Sequence, residues 1–248
     1  MSCGSTSLKL VLMMFESSAV THVGKVRKLN EDAYAERSDI GVWLVADGMG
    51  GHAAGEVASQ TVAEAIKELG PANNFDELFE AVKRSLGNAS RQLQSQSATY
   101  NNERTPGSTV VVLIIDGTQG AVIWVGDSRI YRYREQHLVQ LTHDHSHVQA
   151  LVDQGLLKAE EAGSHAMANL ITRAIGVGEP VKLDSRLLDV KPGDKYLLCS
   201  DGLSRMVPDT EIESAMNNKN SEEITQFLLH TSLLRGAPDN VTLICVQE

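Results

Sequence analysis

Cysteine is scarce in this 248-residue chain: Cys3, Cys199 and Cys245 are the whole complement, odd in number and far apart. That pattern argues against a disulfide framework and for free thiols in a reducing, cytoplasmic compartment. Positive charge is also in short supply. The 22 Lys and Arg residues face 32 Asp and Glu, a formal net charge of −10. A nucleic-acid partner, which needs a basic face, is thereby excluded. Long apolar runs are missing, and none approaches the ~20 residues needed to cross a bilayer, so no membrane insertion is expected. The apolar stretch from Leu8 to Phe15 is too short for a secretory signal, and no basic residue precedes it. Residues 1–15 are therefore expected to form a flexible leader. Repeats and low-complexity segments are absent, as is regular β-α-β alternation.

The remainder has the composition of a globular protein, 42% apolar and 22% charged, and its length suits one domain over residues 16–248. Stretches rich in Val, Ile, Leu and Thr, bounded by Gly, Asp and Asn, predict strands at 18–24, 41–47, 108–115, 119–127, 130–134, 182–189, 195–200 and 241–246. Helical periodicity appears at 52–69, with Val57, Val62, Ala65, Ile66 and Leu69 on one face, and at 75–95. A second helical pair is expected at 209–216 and 221–234. Strands, two helices, many strands, two helices and a last strand suit antiparallel sheets with helices packed outside. The irregular stretch from His143 to Ile171 reads as short helices in a mobile flap.

Four aspartates stand where apolar runs meet turns. Val42-Trp43-Leu44-Val45-Ala46 leads to Asp47, and Val122-Ile123-Trp124-Val125-Gly126 leads to Asp127. Leu197-Leu198-Cys199-Ser200 leads to Asp201, and Asp239-Asn240 opens Val241-Thr242-Leu243-Ile244. Carboxylates crowd together only with something positive among them. Oxygen-only ligands favour Mg²⁺ or Mn²⁺. In Asp47-Gly48-Met49-Gly50-Gly51, the acid can bridge two cations and the Gly48 carbonyl can add a ligand, the glycines allowing close approach. In Arg27-Lys28-Leu29-Asn30-Glu31-Asp32, a guanidinium able to clamp phosphate stands near two acids able to orient water.

With these motifs in order, the chain resembles the metal-dependent Ser/Thr protein phosphatases of the PPM/PP2C family, in its compact bacterial form. The resemblance is carried further by Gly107-Ser108-Thr109, Val125 to Arg129, Leu141 to Ser146, Ile171 to Gly176, Cys199 to Leu203 and Asp239 to Thr242. It implies an α+β fold, a four-layer αββα sandwich of two antiparallel β-sheets flanked by helix pairs, with residues 16–248 as a single catalytic domain. It implies hydrolysis of phosphoserine and phosphothreonine by water activated between two metal ions. Asp47 would bridge those ions, Gly48 would bind one, and Asp201 and Asp239 would complete the other. A third ion would fall to Asp127 and Asp201. Arg27 would hold the phosphate, Asp32 would accept a hydrogen bond from the attacking water, and Glu31 would support a water beside the ions. The implied partners are phosphorylated proteins and a cognate Ser/Thr kinase, with the chain itself a monomer.

The chain departs from eukaryotic members of that family at Met49, where they place a proposed general-acid His. His52 and His165 are the nearby alternatives, and a helix-capping or packing role suits His52 better. Two other patterns compete for attention. Cys199 and Arg205 have the Cys-x5-Arg spacing of Cys-dependent phosphatases, but Asp201 within that loop opposes a thiolate, so Cys199 reads as a buried strand residue. His143-Asp144-His145-Ser146-His147 has no further ligand at zinc-like spacing and reads as a loop held by side-chain hydrogen bonds. A different kind of alternative is a catalytically inactive, phosphoprotein-binding relative. The joint presence of Arg27, Asp32, Asp47, Asp201 and Asp239 argues against it.

Overall fold

A computed structural model of the protein describes residues 15–50, 53–97, 106–178 and 180–248. The expected leader, apart from Phe15, and the residues Cys3, Gly51 and His52 lie outside the described residues. The strands are β1 (Glu16–His22), β2 (Asp32–Arg37), β3 (Val42–Met49), β4 (Gly107–Ser108), β5 (Val110–Asp116), β6 (Gln119–Val125), β7 (Arg129–Arg134), β8 (His137–Gln140), β9 (Asp184–Asp189), β10 (Lys195–Cys199) and β11 (Val241–Gln247). The helices are α1 (Ala53–Lys67), α2 (Phe75–Ser97), α3 (His147–Asp153), α4 (Ala159–Ala162), α5 (Asp201–Ser204), α6 (Asp209–Met216) and α7 (Ser221–Leu234). One sheet runs β1-β11-β10-β7-β8 and the other β2-β3-β5-β6-β9, with β4 beside β3. Every pairing is antiparallel.

The period-2 alternation of strand side chains builds the layers. In β10, Tyr196 and Leu198 face the other sheet and pack with Trp43, Val45, Leu113 and Ile244. Their neighbours Leu197 and Cys199 face outward and pack with Ile212, Ile224 and Leu228 of α6 and α7. In β3 the same alternation sends Val42, Leu44 and Ala46 against Val62, Ile66 and Val82 of α1 and α2. These central strands are apolar on both faces because each face is covered. The result is the expected αββα sandwich. Fully burying one such side chain stabilises by roughly 1.5–3 kcal/mol. An exposed ion pair contributes about 0–1 kcal/mol. The sandwich, not the polar groups at its rim, therefore holds the fold.

Three expectations need correction. β2, with sequence Asp-Ala-Tyr-Ala-Glu-Arg, has little strand propensity and was not expected; pairing with β3 along its whole length overrides local preference. The four-residue β8 was also unforeseen, its partner β7 supplying the template. The single strand expected at 108–115 is divided at Thr109, which turns its groups to Asp47 instead. The stretch 143–171 does hold short helices, α3 and α4. Among the described residues, no helix is long and apolar enough to cross a membrane.

Candidate metal centre and active site

Each of the acids stands where an element begins or ends, and the sandwich brings these ends to one rim. Asp32 opens β2 and is the register partner of Asp47 near the end of β3. Register partners in an antiparallel pair project to the same face, so the two carboxylates are neighbours. Asp127 follows β6, Asp201 opens α5 directly after β10, and Asp239 precedes β11. A cleft of about 240 Å³ gathers Arg27, Glu31, Asp47, Gly48, Asp127, Asp201 and Asp239 in its wall, with Met49, Asn169 and Arg205 beside them. Asp32 is not part of that wall. It is buried, and its Oδ2 accepts a 2.8 Å hydrogen bond from the Ser200 hydroxyl.

Close backbone approach makes this crowding possible. A Cβ on Gly48 would stand 2.0 Å from the Gly55 carbonyl oxygen, and one on Gly202 would stand 1.9 Å from that of Asn240. Only glycine fits at either position. Hydrogen bonds then fix the strand ends. The Thr109 N–H donates to the Asp47 carbonyl at 2.8 Å, and the Asp47 N–H donates to Thr109 Oγ1 at 3.0 Å. Asn240 Oδ1 accepts from the Glu31 N–H at 2.8 Å, while its Nδ2 donates to the Val23 and Leu29 carbonyls, both at 2.9 Å. The loop carrying Arg27 and Glu31 is thus pinned to the turn carrying Asp239. Thr109, Ser200 and Asn240 had no role of their own in the sequence reading, and Arg205 entered it only through its spacing from Cys199. The one signal for them is adjacency to the acids or membership of the same short motifs.

The electrostatics of the cluster are unfavourable without a cation. Burial, and then the charges of Asp32, Asp201, Asp127 and Asp239, push the Asp47 pKa well above the usual carboxylate range. Burial pushes Asp32 up to about 7 against the hydrogen bonds from Thr242 and Ser200. Burial and the Asp201 charge raise Asp127 to about 7 although Arg205 pulls it down. Asp201 is raised by burial despite Arg205. Among the described residues, Asp32 Oδ1 and Asp201 Oδ1 are buried without a hydrogen-bond partner. Orphaned anionic oxygens and an all-oxygen donor set fit hard divalent cations such as Mg²⁺ or Mn²⁺.

Two guanidiniums hold cationic positions at the cleft. Arg27 Nη2 lies 2.8 Å from Asp239 Oδ2, and Arg205 Nη2 lies 2.7 Å from Asp201 Oδ2. Among the described residues, no group of three or more His, Cys, Asp or Glu is arranged to hold a metal ion as the side chains stand.

The competing patterns resolve differently. Cys199 is fully buried in β10, and burial pushes its thiol up to about 12, so it is no nucleophile. The His143–His147 loop is held by side chains: His143 Nε2 on Asp153 at 2.8 Å, Arg129 on Asp144 at 2.7 Å and His145 Nε2 on Asp184 at 3.1 Å. The Gly126 N–H donates to His145 Nδ1 at 3.2 Å, while Nε2 faces both Asp184 Oδ2 and Arg173 Nη1. His165 Nδ1 accepts from the Met167 N–H at 3.1 Å, and the ring is not in the cleft wall.

The chain is similar in sequence and in fold to known phosphatases. The sequence profile described as Protein phosphatase 2C matches residues 22–235. Serine/threonine protein phosphatase PstP of Mycobacterium tuberculosis is 36% identical over 234 residues, 94% of this chain but 45% of that protein. The chain thus spans just under half the length of PstP. Serine/threonine phosphatase stp of Listeria monocytogenes is 33% identical over 237 residues, 92% of this chain and 94% of that protein. The structure of PppA, described as a key regulatory component of T6SS in Pseudomonas aeruginosa, has a TM-score of 0.89 at 36% identity, covering 95% of this chain and 98% of that one. The catalytic domain of PstP in complex with two manganese ions has a TM-score of 0.82 at 34% identity, covering 94% and 97%.

Proposed function

The chain belongs to the protein phosphatase 2C family, and from that premise we propose that it is a metal-dependent protein serine/threonine phosphatase. The observation that supports this most is that Asp47, Asp127, Asp201 and Asp239 line one cleft together with Arg27. We assign the cation-holding role to Asp47, the Gly48 carbonyl, Asp201 and Asp239, with Asp127 and Asp201 offering a third, weaker place. The PstP relative with two manganese ions supports Mg²⁺ or Mn²⁺ as the cofactor. When bound, such ions lower the pKa of water enough to yield a nucleophile at neutral pH.

The remaining roles belong to the chain itself. Arg27, half exposed at the cleft, is placed to clamp two phosphoryl oxygens with its planar fork and to meet charge that builds on them. Asp32, held by Ser200 beside Asp47, orients the attacking water, and Glu31 in the wall supports it. Cys199 takes no part, so no cysteinyl-phosphate forms, and water attacks the phosphoryl group directly. Residues 16–248 act as one catalytic domain, and the flap at about 143–171 borders the cleft through Asn169 and Ile171. The substrates are phosphoserine and phosphothreonine proteins, and the opposing enzyme is a Ser/Thr kinase. Helices on both outer sheet faces favour a monomer. Buried free thiols favour a reducing, cytoplasmic setting.

Hydrolysis of p-nitrophenyl phosphate and of a phosphothreonine peptide, with Mn²⁺ and then with excess EDTA, tests the reading. Turnover with Mn²⁺ that vanishes in EDTA supports it. Phosphopeptide binding without turnover in Mn²⁺ would point to an inactive binding relative instead.

A further inference from the structure

Arg205 reaches two separate parts of the molecule. It follows α5, four residues after Asp201, and its Nη2 lies 2.7 Å from Asp201 Oδ2 and 3.4 Å from Asp127 Oδ2. Its Nη1 donates to Asn169 Oδ1 in the flap, and Nη2 lies 3.4 Å from the Ala168 carbonyl oxygen. A guanidinium can serve both groups because its five donors lie in a fixed plane. We propose that Arg205 is a positioning residue that stands as a built-in cation between Asp127 and Asp201 and ties the flap at Asn169 to the rim of the cleft. The proposal rests on the reading of Asp127 and Asp201 as cation ligands.

The charge pattern favours this over an ordinary surface ion pair. Among the described residues of the cleft wall, the guanidiniums or ammonium groups are those of Arg27 and Arg205, against five carboxylates. Arg27 is engaged by Asp239, which leaves Arg205 as the cation for the other side of the cluster. Asp127 is only 7% exposed at its side chain, so it has little water to take the guanidinium's place. Arg205 is 29% exposed and can swing outward without opening the core. A divalent cation and a guanidinium repel one another at the same pair of carboxylates. A third ion would therefore enter only as Arg205 leaves, and the departure would release Asn169. Occupancy of that place and the position of the flap become one coupled equilibrium. Linkage then requires the reverse as well: a substrate that lifts Asn169 eases entry of the third ion.

The test is Mn²⁺ calorimetry together with amide hydrogen exchange over 165–171, on the full chain and on Arg205→Ala, Arg205→Lys and Asn169→Ala, each checked for a cooperative melt. In Arg205→Ala the weakest Mn²⁺ site should tighten by about tenfold or more, the effect of removing a competitor worth roughly 1.4 kcal/mol. Exchange over 165–171 should accelerate in the same variant. Arg205→Lys should leave the weak site weak, because the charge stays, yet still accelerate exchange, because one ammonium cannot span both acids and Asn169. Asn169→Ala should accelerate exchange and tighten the weak site by less than Arg205→Ala does, since the ion no longer has to break the Asn169 contact but still meets the guanidinium. An unchanged isotherm and unchanged exchange in Arg205→Ala overturn the proposal while leaving the ligand assignment intact. An unchanged weak Mn²⁺ site in Asp127→Asn would overturn the reading of Asp127 and Asp201 as cation ligands and this proposal with it.

Discussion

Arg27→Ala separates grip on phosphate from grip on metal. The Arg27–Asp239 pair is 2.8 Å long, with side chains 52% and 31% exposed. Such a pair contributes at most about 1 kcal/mol to stability, so the melting temperature should shift by only a few degrees. Mn²⁺ affinity should not fall, because the substitution removes no ligand. It frees Asp239 Oδ2 from a competitor, so affinity should hold or tighten slightly. The loss should appear in catalysis. A charge-assisted bidentate contact to the phosphoryl group disappears, which raises KM, and any tightening of that contact as charge develops lowers kcat as well. A combined fall in kcat/KM of about 10- to 1000-fold is expected, or roughly 1.4–4 kcal/mol. Arg27→Lys should recover only part, since a point charge cannot reproduce the fork. Steady-state kinetics on a phosphothreonine peptide beside Mn²⁺ calorimetry reads both sides. Weakened Mn²⁺ binding with an unchanged KM would refute the assignment of Arg27 to phosphate.

Other perturbations probe the acids, the thiols and the close packing. Asp47→Asn and Asp239→Asn should abolish turnover while remaining folded by circular dichroism. Metal-free Asp47→Asn should melt higher than metal-free parent, because burial and four neighbouring carboxylates oppose the Asp47 charge. Retained turnover in either folded variant would count against the ligand assignment. Cys199 and Cys245 should resist iodoacetamide at pH 8 in the native protein, since both are fully buried and burial pushes each thiol up to about 12. Their folded pKa lies above the unfolded value of about 8.5. Any stability linked to these thiols is therefore complete below pH 8 and lost only as the pH rises from there toward 12. Mass spectrometry showing rapid native alkylation of Cys199 with loss of activity would refute this. Gly202→Ala should cost about 1–3 kcal/mol in urea denaturation, because its Cβ would meet the Asn240 carbonyl oxygen at 1.9 Å. A wild-type midpoint would show that α5 and the Asn240 turn can separate freely.

The layers were legible wherever the apolar pattern was strong. Val42 to Ala46 announces a central strand and stops at an acid, and both features survive in the fold as β3 and Asp47. The helical face of α1 was read from Val57, Val62, Ala65, Ile66 and Leu69, of which Val62 and Ile66 are fully buried and the other three half-buried. β2 was not legible, because Ala33 and Ala35 carry little strand preference and their burial depends on α1 and β3. The positioning groups were hidden for a different reason. Thr109 acts on Asp47 across 62 residues and Asn240 acts on Glu31 across 209, so no local window contains the pair. Arg205 illustrates the limit best. Its spacing from Cys199 suggested a thiolate partner, but one turn of α5 carries its side chain to Asp201 and Asp127 instead.

The two arginines also explain how five acids can share one rim in a folded chain. Three apolar clusters stabilise the sandwich independently of the cleft, so the carboxylate repulsion is a local cost. Arg27 and Arg205 offset part of it from opposite sides, on Asp239 and on Asp201 with Asp127. That arrangement has a consequence for substrate binding. While Arg27 is committed to Asp239, part of its fork is unavailable to a phosphate. A cation held by Asp239 would compete for the same carboxylate and would free the guanidinium to face the cleft. Metal loading and phosphate affinity are then linked through one side chain, and by reciprocity phosphate should tighten metal binding. The Arg27→Ala calorimetry reads this link directly: with Arg27 removed, added phosphate should no longer tighten Mn²⁺ binding through Asp239, and the residual coupling measures what the ions alone contribute.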